Sequence, residues 1–377
     1  MPMKNKRIYG IIIGEIVLLL MLVVAGCVIS ALAGNDTDTD PTGTSEYIQE
    51  TTMETPTQPP LMGWQEINGT RYYYNENGIP ATGWLELEGA VYYLGNDGKM
   101  VTGLETVDGK LFFFGEDGTM QSGWQTVEGE TYFFAREGAV IGWLELEQKH
   151  YYFSEDGKML TGWQTLDSDR YYFREDGRMT IGQLEIDGVN RFFTSKGKYV
   201  IMPNPWNPVP EDFELDLVDI EGFEFDTSGR DALKAMLKGC RNAGLDCDIN
   251  NTYRSKATQQ YLWDNGIKKR MDKGMTYEEA LADTKRAVMI PGHSEHQTGL
   301  AVDIDGDEVT DAWLGEHCWD YGFILRYPDD KEHITGIKFE PWHFRYVGME
   351  LAQELEELDM CMEEYMDMLT RQQAAIS

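Results

Sequence analysis

Hydrophobic and polar positions fall into three regimes along the chain. From Ile8 to Gly34 the run "IYGIIIGEIVLLLMLVVAGCVISALAG" is almost wholly apolar, long enough to cross a bilayer as one helix. Between residues 61 and 202, short apolar bursts such as "RYYF" at 170–173 alternate with turn signals such as "EDG", which predicts strands joined by tight turns. Beyond 203, helical spacing takes over. "RDALKAMLKGCRNAG" (230–244) has an apolar residue every three or four positions and predicts a helix closed by Gly244. "LDCDINNTYRS" predicts a strand leading to a turn. "TYEEALADTKRAVM" predicts a helix opened by a Thr276–Glu279 capping box, and "HITGIKFEPWHFRYVG" (333–348) predicts strands at its two ends.

The middle regime is a repeat. "GW" or its equivalent begins at Gly63, Gly83, Gly103, Gly123, Gly142, Gly162 and Gly182, 20 residues apart except for one step of 19. Each unit carries the pattern of one β-hairpin. A lone hairpin is barely stable in water, so seven of them are expected to stack into a solenoid whose core is shared between neighbours. Trp64, Trp84, Trp124, Trp143 and Trp163 open five units, Leu104 and Gln183 stand in the other two, and pairs such as Tyr72–Tyr73 and Tyr171–Tyr172 lie in the second strand.

Charge gives the first regime an orientation. Lys4, Lys6 and Arg7 precede the apolar run, and residues 35–60 hold six acids, many Thr and Pro, and no Lys or Arg. The positive-inside rule then places residues 1–7 in the cytoplasm, 8–34 as a transmembrane anchor, and everything beyond outside, with 35–60 an acidic tether that cannot bury a core. Two processed forms compete with the anchor. "ALA" at 31–33 reads as a signal-peptidase site, and "VAGC" ending at Cys27 as a lipoprotein box. The uncleaved anchor is the first expectation, because the run is too long for an ordinary signal core and continues past Cys27. A formal net charge of −33 excludes a nucleic-acid partner, which needs a basic surface. Outside the membrane Cys240, Cys247, Cys318 and Cys361 are free to pair, and Cys240 with Cys247 is the pair suited to a helix-to-strand turn; buried free thiols are the competing expectation.

"PGHSEHQTGLAVDID" (291–305) holds the densest chemistry. His296 and Asp303 lie seven apart across Gly299, a spacing that fits a loop entering a strand, with Asp303 on one strand face. His343 in "FEPWHFRY" supplies a third donor and Glu340 a carboxylate beside it, the set a catalytic zinc needs: three protein ligands, an open position and a base. On spacing alone, a turn-forming Asp and a chance His are the better reading.

The wording of the segments adds to this. "YRSKATQ", "GHSEHQTGLAVDID", "YGFILRYP" and "GIKFEPWHFRYVG", in this order, closely resemble the VanY-type D-alanyl-D-alanine carboxypeptidases, zinc peptidases grouped with lysostaphin-like enzymes and hedgehog domains. The resemblance implies His296, Asp303 and His343 as ligands of one Zn2+, Glu340 as catalytic base, and Arg254 as partner of the substrate's terminal carboxylate, with Gln259 and Ser294 as polar substrate contacts. Trp342 and Phe344 are expected in the core, and 264–290 as a plain surface helix in preference to a lid. The tail from 351 is expected to pack in its first half and fray at its end.

Residues 61–202 resemble the cell-wall-binding repeats, of the choline- and glucan-binding type, of Gram-positive surface proteins. No unit has the second strand Trp of the choline-binding versions, which favours a glycan or teichoic acid over choline. The expected architecture is thus multidomain: a transmembrane helix, a β-hairpin solenoid of about seven 20-residue repeats (61–202), a Pro-rich hinge at 202–210, and an α+β zinc peptidase domain (203–377). The expected activity is removal of the terminal D-alanine from peptidoglycan stem peptides at the wall of a Gram-positive bacterium. An L,D-carboxypeptidase acting on tetrapeptide stems and a non-catalytic wall adhesin are the alternatives.

Overall fold

A computed structural model describes residues 61–375. The predicted anchor and acidic tether lie outside the described residues, among which no helix is long and apolar enough to cross a membrane.

Seven antiparallel hairpins run from Gly63–Ile67 paired with Thr70–Tyr74 to Gly182–Ile186 paired with Val189–Phe193. Their two-residue turns carry positive φ at both positions, as at Asp167 (50°) and Ser168 (76°), the twist that keeps hairpin strands together. In every hairpin after the first, the residue facing the opening glycine points inward. Leu94, Phe114, Phe134, Phe153, Phe173 and Phe193 are almost wholly buried and form the column on which the stack rests. Neighbouring units are stitched by backbone bonds at one repeat step, such as Met120 N to Val91 O (2.7 Å) and Met179 N to His150 O (2.8 Å). Each opening Trp bridges units by edge-on ring contacts: Trp84 meets Tyr93 of its own hairpin at 5.1 Å and Phe112 of the next at 4.9 Å.

The α+β part has a short hairpin, β1 (Leu217–Ile220) and β2 (Phe223–Asp226), then helix α1 (Arg230–Asn242) and strand β3 (Asp248–Asn251). Helices α2 (Lys256–Met271) and α3 (Tyr277–Lys285) follow, the latter opened by the expected capping box at Thr276. Next come β4 (Ala301–Asp305), α4 (Glu308–His317), β5 (Phe323–Leu325), the short α5 (Glu332–Thr335), β6 (His343–Tyr346), α6 (Met349–Leu358) and α7 (Met362–Ala375). Four strands form one antiparallel sheet in the order β3-β4-β6-β5. Its inner face packs Val302, Ile304, Phe323 and Phe344 against Leu233, Met236 and Leu237 of α1. A Cys240–Cys247 disulfide ties the end of α1 to the start of β3.

Three expectations are corrected here. The first end of 333–348 is α5 and not a strand, because β5 already occupies the free edge of β6. The stretch 202–210 is pinned, not a free hinge. Asn204 is buried, its carbonyl meets His293 Nδ1 at 2.8 Å, and Val209 N donates to Gly292 O at 2.8 Å. Among the described residues the tail does not fray either. Asp359 turns left-handed (φ 53°) and splits it into α6 and α7, and α7 docks on the last repeat. Ile181 N donates to Gln373 Oε1 at 2.6 Å, Gln183 N to Thr370 Oγ1 at 2.8 Å, and Ser195 N to the Tyr365 hydroxyl at 2.9 Å. Met362, Tyr365, Met366 and Leu369 share one buried cluster with Phe173, Met179 and Phe192 of the repeats. The repeats and the α+β part therefore form one compact unit.

Gly182 is what permits that docking. Its φ is +69°, and a Cβ there would lie 2.5 Å from Thr370 N. Gly123, the same position in an inner repeat, has φ +74° and open space around it. Gly123→Ala should therefore carry only the left-handed backbone cost, about 1–2 kcal/mol, and Gly182→Ala about 1–3 kcal/mol more from overpacking. Urea unfolding of the two variants tests this; equal losses would mean that α7 does not rest on Gly182.

Candidate metal centre and cleft

Strand register assembles the site. Asp303 pairs with His343 across β4 and β6, and Asn251 with Asp303 across β3 and β4, so three chemically active side chains lie in one row. His296 reaches the same point from a 3-10 turn, Glu295–Thr298, which ends at Gly299 (φ 73°). A Cβ on Gly299 would sit 2.7 Å from Leu217 Cδ2, so both the turn and the close pass over β1 require glycine.

Donor atoms of His296, Asp303 and His343 lie within 4.8 Å of one another. His296 Nδ1 meets the Thr252 carbonyl at 2.6 Å, which makes it the protonated nitrogen and leaves Nε2 facing Asp303 Oδ2 at 3.3 Å. His343 is turned the other way. Its Nδ1 meets Asp303 Oδ1 at 2.9 Å, while Nε2 is buried without a hydrogen-bond partner. Two imidazoles and a carboxylate thus converge on one point, with His296 held from behind by the Thr252 carbonyl and Asp303 by Asn251, a donor set that fits a zinc ion. Glu340 Oε2 stands 3.8 Å from His343 Nδ1, close to the three donors yet outside them.

Electrostatics sharpen the roles. Burial holds His296 below the usual imidazole range, keeping it a neutral ligand. Burial alone would raise the Asp303 carboxyl, but the imidazoles of His296 and His343 outweigh it and hold the group well below the carboxylate range. For His343, burial is overcome by the hydrogen bond to Asp303 and by the nearby carboxylate of Glu295, lifting it to about 9. Burial pushes Glu340 up to about 7, against the pull of His343 and Arg254. A carboxyl poised near neutrality is suited to taking and returning a proton.

Around these groups lies a cleft of about 550 Å3. Arg254 lines it and is only partly buried, its Nη2 lying 3.4 Å from Ser294 Oγ, so the guanidinium keeps an edge open to the cleft. Ser294 is buried behind Arg254 and orients it. Gln259 faces away from the cleft: fully buried, it donates to the Met289 carbonyl at 2.6 Å and braces the wall. The segment 264–290 is not a plain surface helix. Asn265, Gly266, Lys269 and Arg270 of α2, with Ala287 to Met289, make one side of the cleft. Trp342, expected in the core, is 44% exposed on the rim, while Phe344, on the face of β6 away from His343, is buried as expected. Asn251, Glu295 and Tyr327 were missed by sequence reasoning. Asn251 Nδ2 donates to Asp303 Oδ2 at 3.2 Å, and the Tyr327 ring lies 5.0 Å from that of His343.

Neutral and anionic donors, a separate carboxyl and an open guanidinium share one cleft, a set that metal-dependent hydrolysis can use. Residues 224–349 match the VanY family model, D-alanyl-D-alanine carboxypeptidase, and 61–102, 101–141 and 160–201 match the choline-binding repeat. A D-alanyl-D-alanine carboxypeptidase of Enterococcus faecalis is 36% identical over 175 residues, covering 45% of this chain and 65% of its own. The bifunctional D-Ala-D-Ala dipeptidase and carboxypeptidase VanXYC of Enterococcus gallinarum is 40% identical over 148 residues, 35% of this chain and 73% of that one. A solved structure of the vancomycin-resistance D,D-pentapeptidase VanY with Zn(II) is 37% identical, covering 44% of this chain and 97% of its own at a TM-score of 0.42. The chain belongs to the VanY D-alanyl-D-alanine carboxypeptidase family. It spans slightly less than two thirds of the E. faecalis relative.

Proton and metal compete for this site. In the metal-free chain His343 keeps its proton up to about pH 9 and Glu340 up to about pH 7. Both are raised above their unfolded values, so the stability they contribute is present at low pH and lost as pH rises through those values. Metal-free thermal stability should fall from about pH 7 to 9, where His296 is already neutral and His343 loses its proton, while zinc affinity climbs, about tenfold per unit for each proton displaced. Scanning calorimetry with chelator competition measures both; a zinc affinity flat with pH would mean that the His343 proton is not the competitor.

Proposed function

We propose that this chain is a zinc-dependent D-alanyl-D-alanine carboxypeptidase that trims peptidoglycan stem peptides and is held at the cell wall by its repeats. The observation that carries this reading is the sharing of one cleft by the His296, Asp303 and His343 donors, the Glu340 carboxyl and the open edge of Arg254.

Arg254 receives the planar terminal carboxylate of the peptide in a two-pronged hydrogen bond, which sets the scissile bond one residue in from the end and makes the activity a carboxypeptidase. Zinc held by His296, Asp303 and His343 would acidify a bound water and polarise the scissile carbonyl. Glu340 accepts the proton of the attacking water and returns it to the departing amine of the terminal alanine. Asn251 and the Thr252 carbonyl keep Asp303 and His296 aimed through the cycle. Trp342 at the rim contacts the peptide upstream of the scissile bond.

The apolar run over 8–34 and its basic flank support a single-pass anchor, with the repeats and the peptidase outside the cell. Within the repeats, Arg71 lies over Trp64 at 4.7 Å and Arg170 over Trp163 at 4.5 Å, so the chain's own cations cover two of the five tryptophans. Trp84, Trp124 and Trp143 are the rings left 38–45% exposed for a wall ligand.

Mass spectrometry of muropeptides incubated with zinc-loaded protein tests the chemistry. Loss of one alanine from the pentapeptide is expected; loss from the tetrapeptide alone would make the enzyme an L,D-carboxypeptidase, and loss from neither would favour an adhesin. Glu340→Ala should lower kcat about 10²–10⁴-fold. Arg254→Ala should lower kcat/KM about 10- to 100-fold, as expected for one charge-assisted contact. Wall binding is read separately, by sedimentation with purified walls. The triple variant Trp84→Ala, Trp124→Ala, Trp143→Ala should lose most retention, and unchanged retention would make the repeats a spacer.

A further inference from the structure

A buried chain of charges runs from the metal centre to the C-terminal helix. Glu295 is fully buried next to the ligand His296. Its Oε1 accepts from Arg326 Nε at 2.8 Å and from Arg345 Nη1 at 3.0 Å. Its Oε2 has no hydrogen-bond partner and lies 3.6 Å from His343 Nε2, which has none either. The far edge of Arg326 is filled by Glu363 of α7, at 3.0 and 2.6 Å. Two further contacts carry the chain to the end of the repeats: Asn204 Nδ2 donates to Glu363 Oε1 at 3.2 Å, and Arg345 Nη2 to the Ile201 carbonyl at 2.8 Å.

We propose that Glu295 is a positioning residue for His343, and that Arg326 and Glu363 relay the docking of α7 on the repeats to the metal centre. The inference rests on the metal-site reading above. Each orphan atom is explained by the other. A buried imidazole N–H beside a lone carboxylate oxygen is the outer partner that a ligating histidine needs, and it commits Nδ1 to the metal side, where Asp303 already faces it.

The four groups balance in charge, two carboxylates against two guanidiniums, which is what makes their burial tolerable. Glu363 decides how Glu295 is shared. While it saturates the outer edge of Arg326, that guanidinium takes only Oε1 of Glu295 and leaves Oε2 to His343. Without the Glu363 charge, Arg326 is an under-compensated buried cation whose remaining partner is Glu295, and it draws both oxygens toward itself. His343 then loses its outer partner although no residue touching it has changed. The wall-binding and peptidase halves thus share one structural element: a chain in which Thr370 of α7 is not seated on Gly182 has a loosened ligand.

The test uses the full chain with Glu295→Gln, Glu363→Gln, Glu363→Asp and the double glutamine variant. Zinc dissociation constants come from chelator competition, and far-UV circular dichroism checks the fold. Glu295→Gln should weaken zinc about 10- to 100-fold, in the range for outer partners of metal ligands. Glu363→Gln should weaken it less, in the same direction, and Glu363→Asp should restore it. The double variant should bind no more weakly than Glu295→Gln alone, because the second change acts through the first. Full addition of the two penalties would overturn the relay, as would a folded Glu363→Gln chain with wild-type affinity, whatever becomes of Glu295→Gln. Since the readout is zinc affinity, failure to trim stem peptides bears on the carboxypeptidase reading alone.

Discussion

The pairing of Asp303 with His343 across two antiparallel strands is the constraint on which the molecule turns. A one-residue slip between these strands would send the two side chains to opposite faces of the sheet and end the site. The register is held from the other face, where Val302, Ile304 and Phe344 are wholly buried against α1. Hydrophobic burial on one side of the sheet thus sets ligand geometry on the other. The same row of the sheet brings in Asn251, so the strand order places a hydrogen-bond donor behind the aspartate at no further structural cost.

Burial also sets the chemistry. The same exclusion of water that keeps His296 neutral lifts Glu340 to about 7. Such a site is costly to build, since it gathers carboxylates, imidazoles and guanidiniums out of solvent. The structure offsets that cost by pairing: Asp303 sits between two histidines, and Glu295 between two arginines. What stays unpaired is informative. Glu295 Oε2 and His343 Nε2 are buried polar atoms without hydrogen-bond partners, and they face each other at 3.6 Å.

The repeats are more than a tether. A solenoid must cap its last unit, whose apolar face has no successor. Here the cap is α7, contributed by the far end of the chain, with Met366 and Leu369 buried against the last hairpins. One helix therefore closes the repeat array on one side and, through Glu363 and Arg326, braces the metal centre on the other.

Much of this was legible in the sequence because it is local or verbal. Seven hairpins follow from a strict 20-residue period, the capping box at Thr276 from two residues, and His296, Asp303, His343, Glu340 and Arg254 from motif wording in a set order. What the sequence could not carry is anything that depends on which surfaces meet. Glu295 looks like one more acid in an acidic chain; only the folded structure places Arg326, 31 positions on, and Arg345, 50 positions on, against it. Trp342 and Phe344 are two apart, a spacing that puts both on one face of a strand; β6 begins only at His343, so Trp342 lies on the rim and Phe344 in the core. The tail reads as one fraying amphipathic helix because its apolar stripe says that something covers it but not what. Local pattern determined the elements and the motif residues of this protein; tertiary structure decided their partners, because long-range contacts, charge pairing and register leave no period in the chain that makes them.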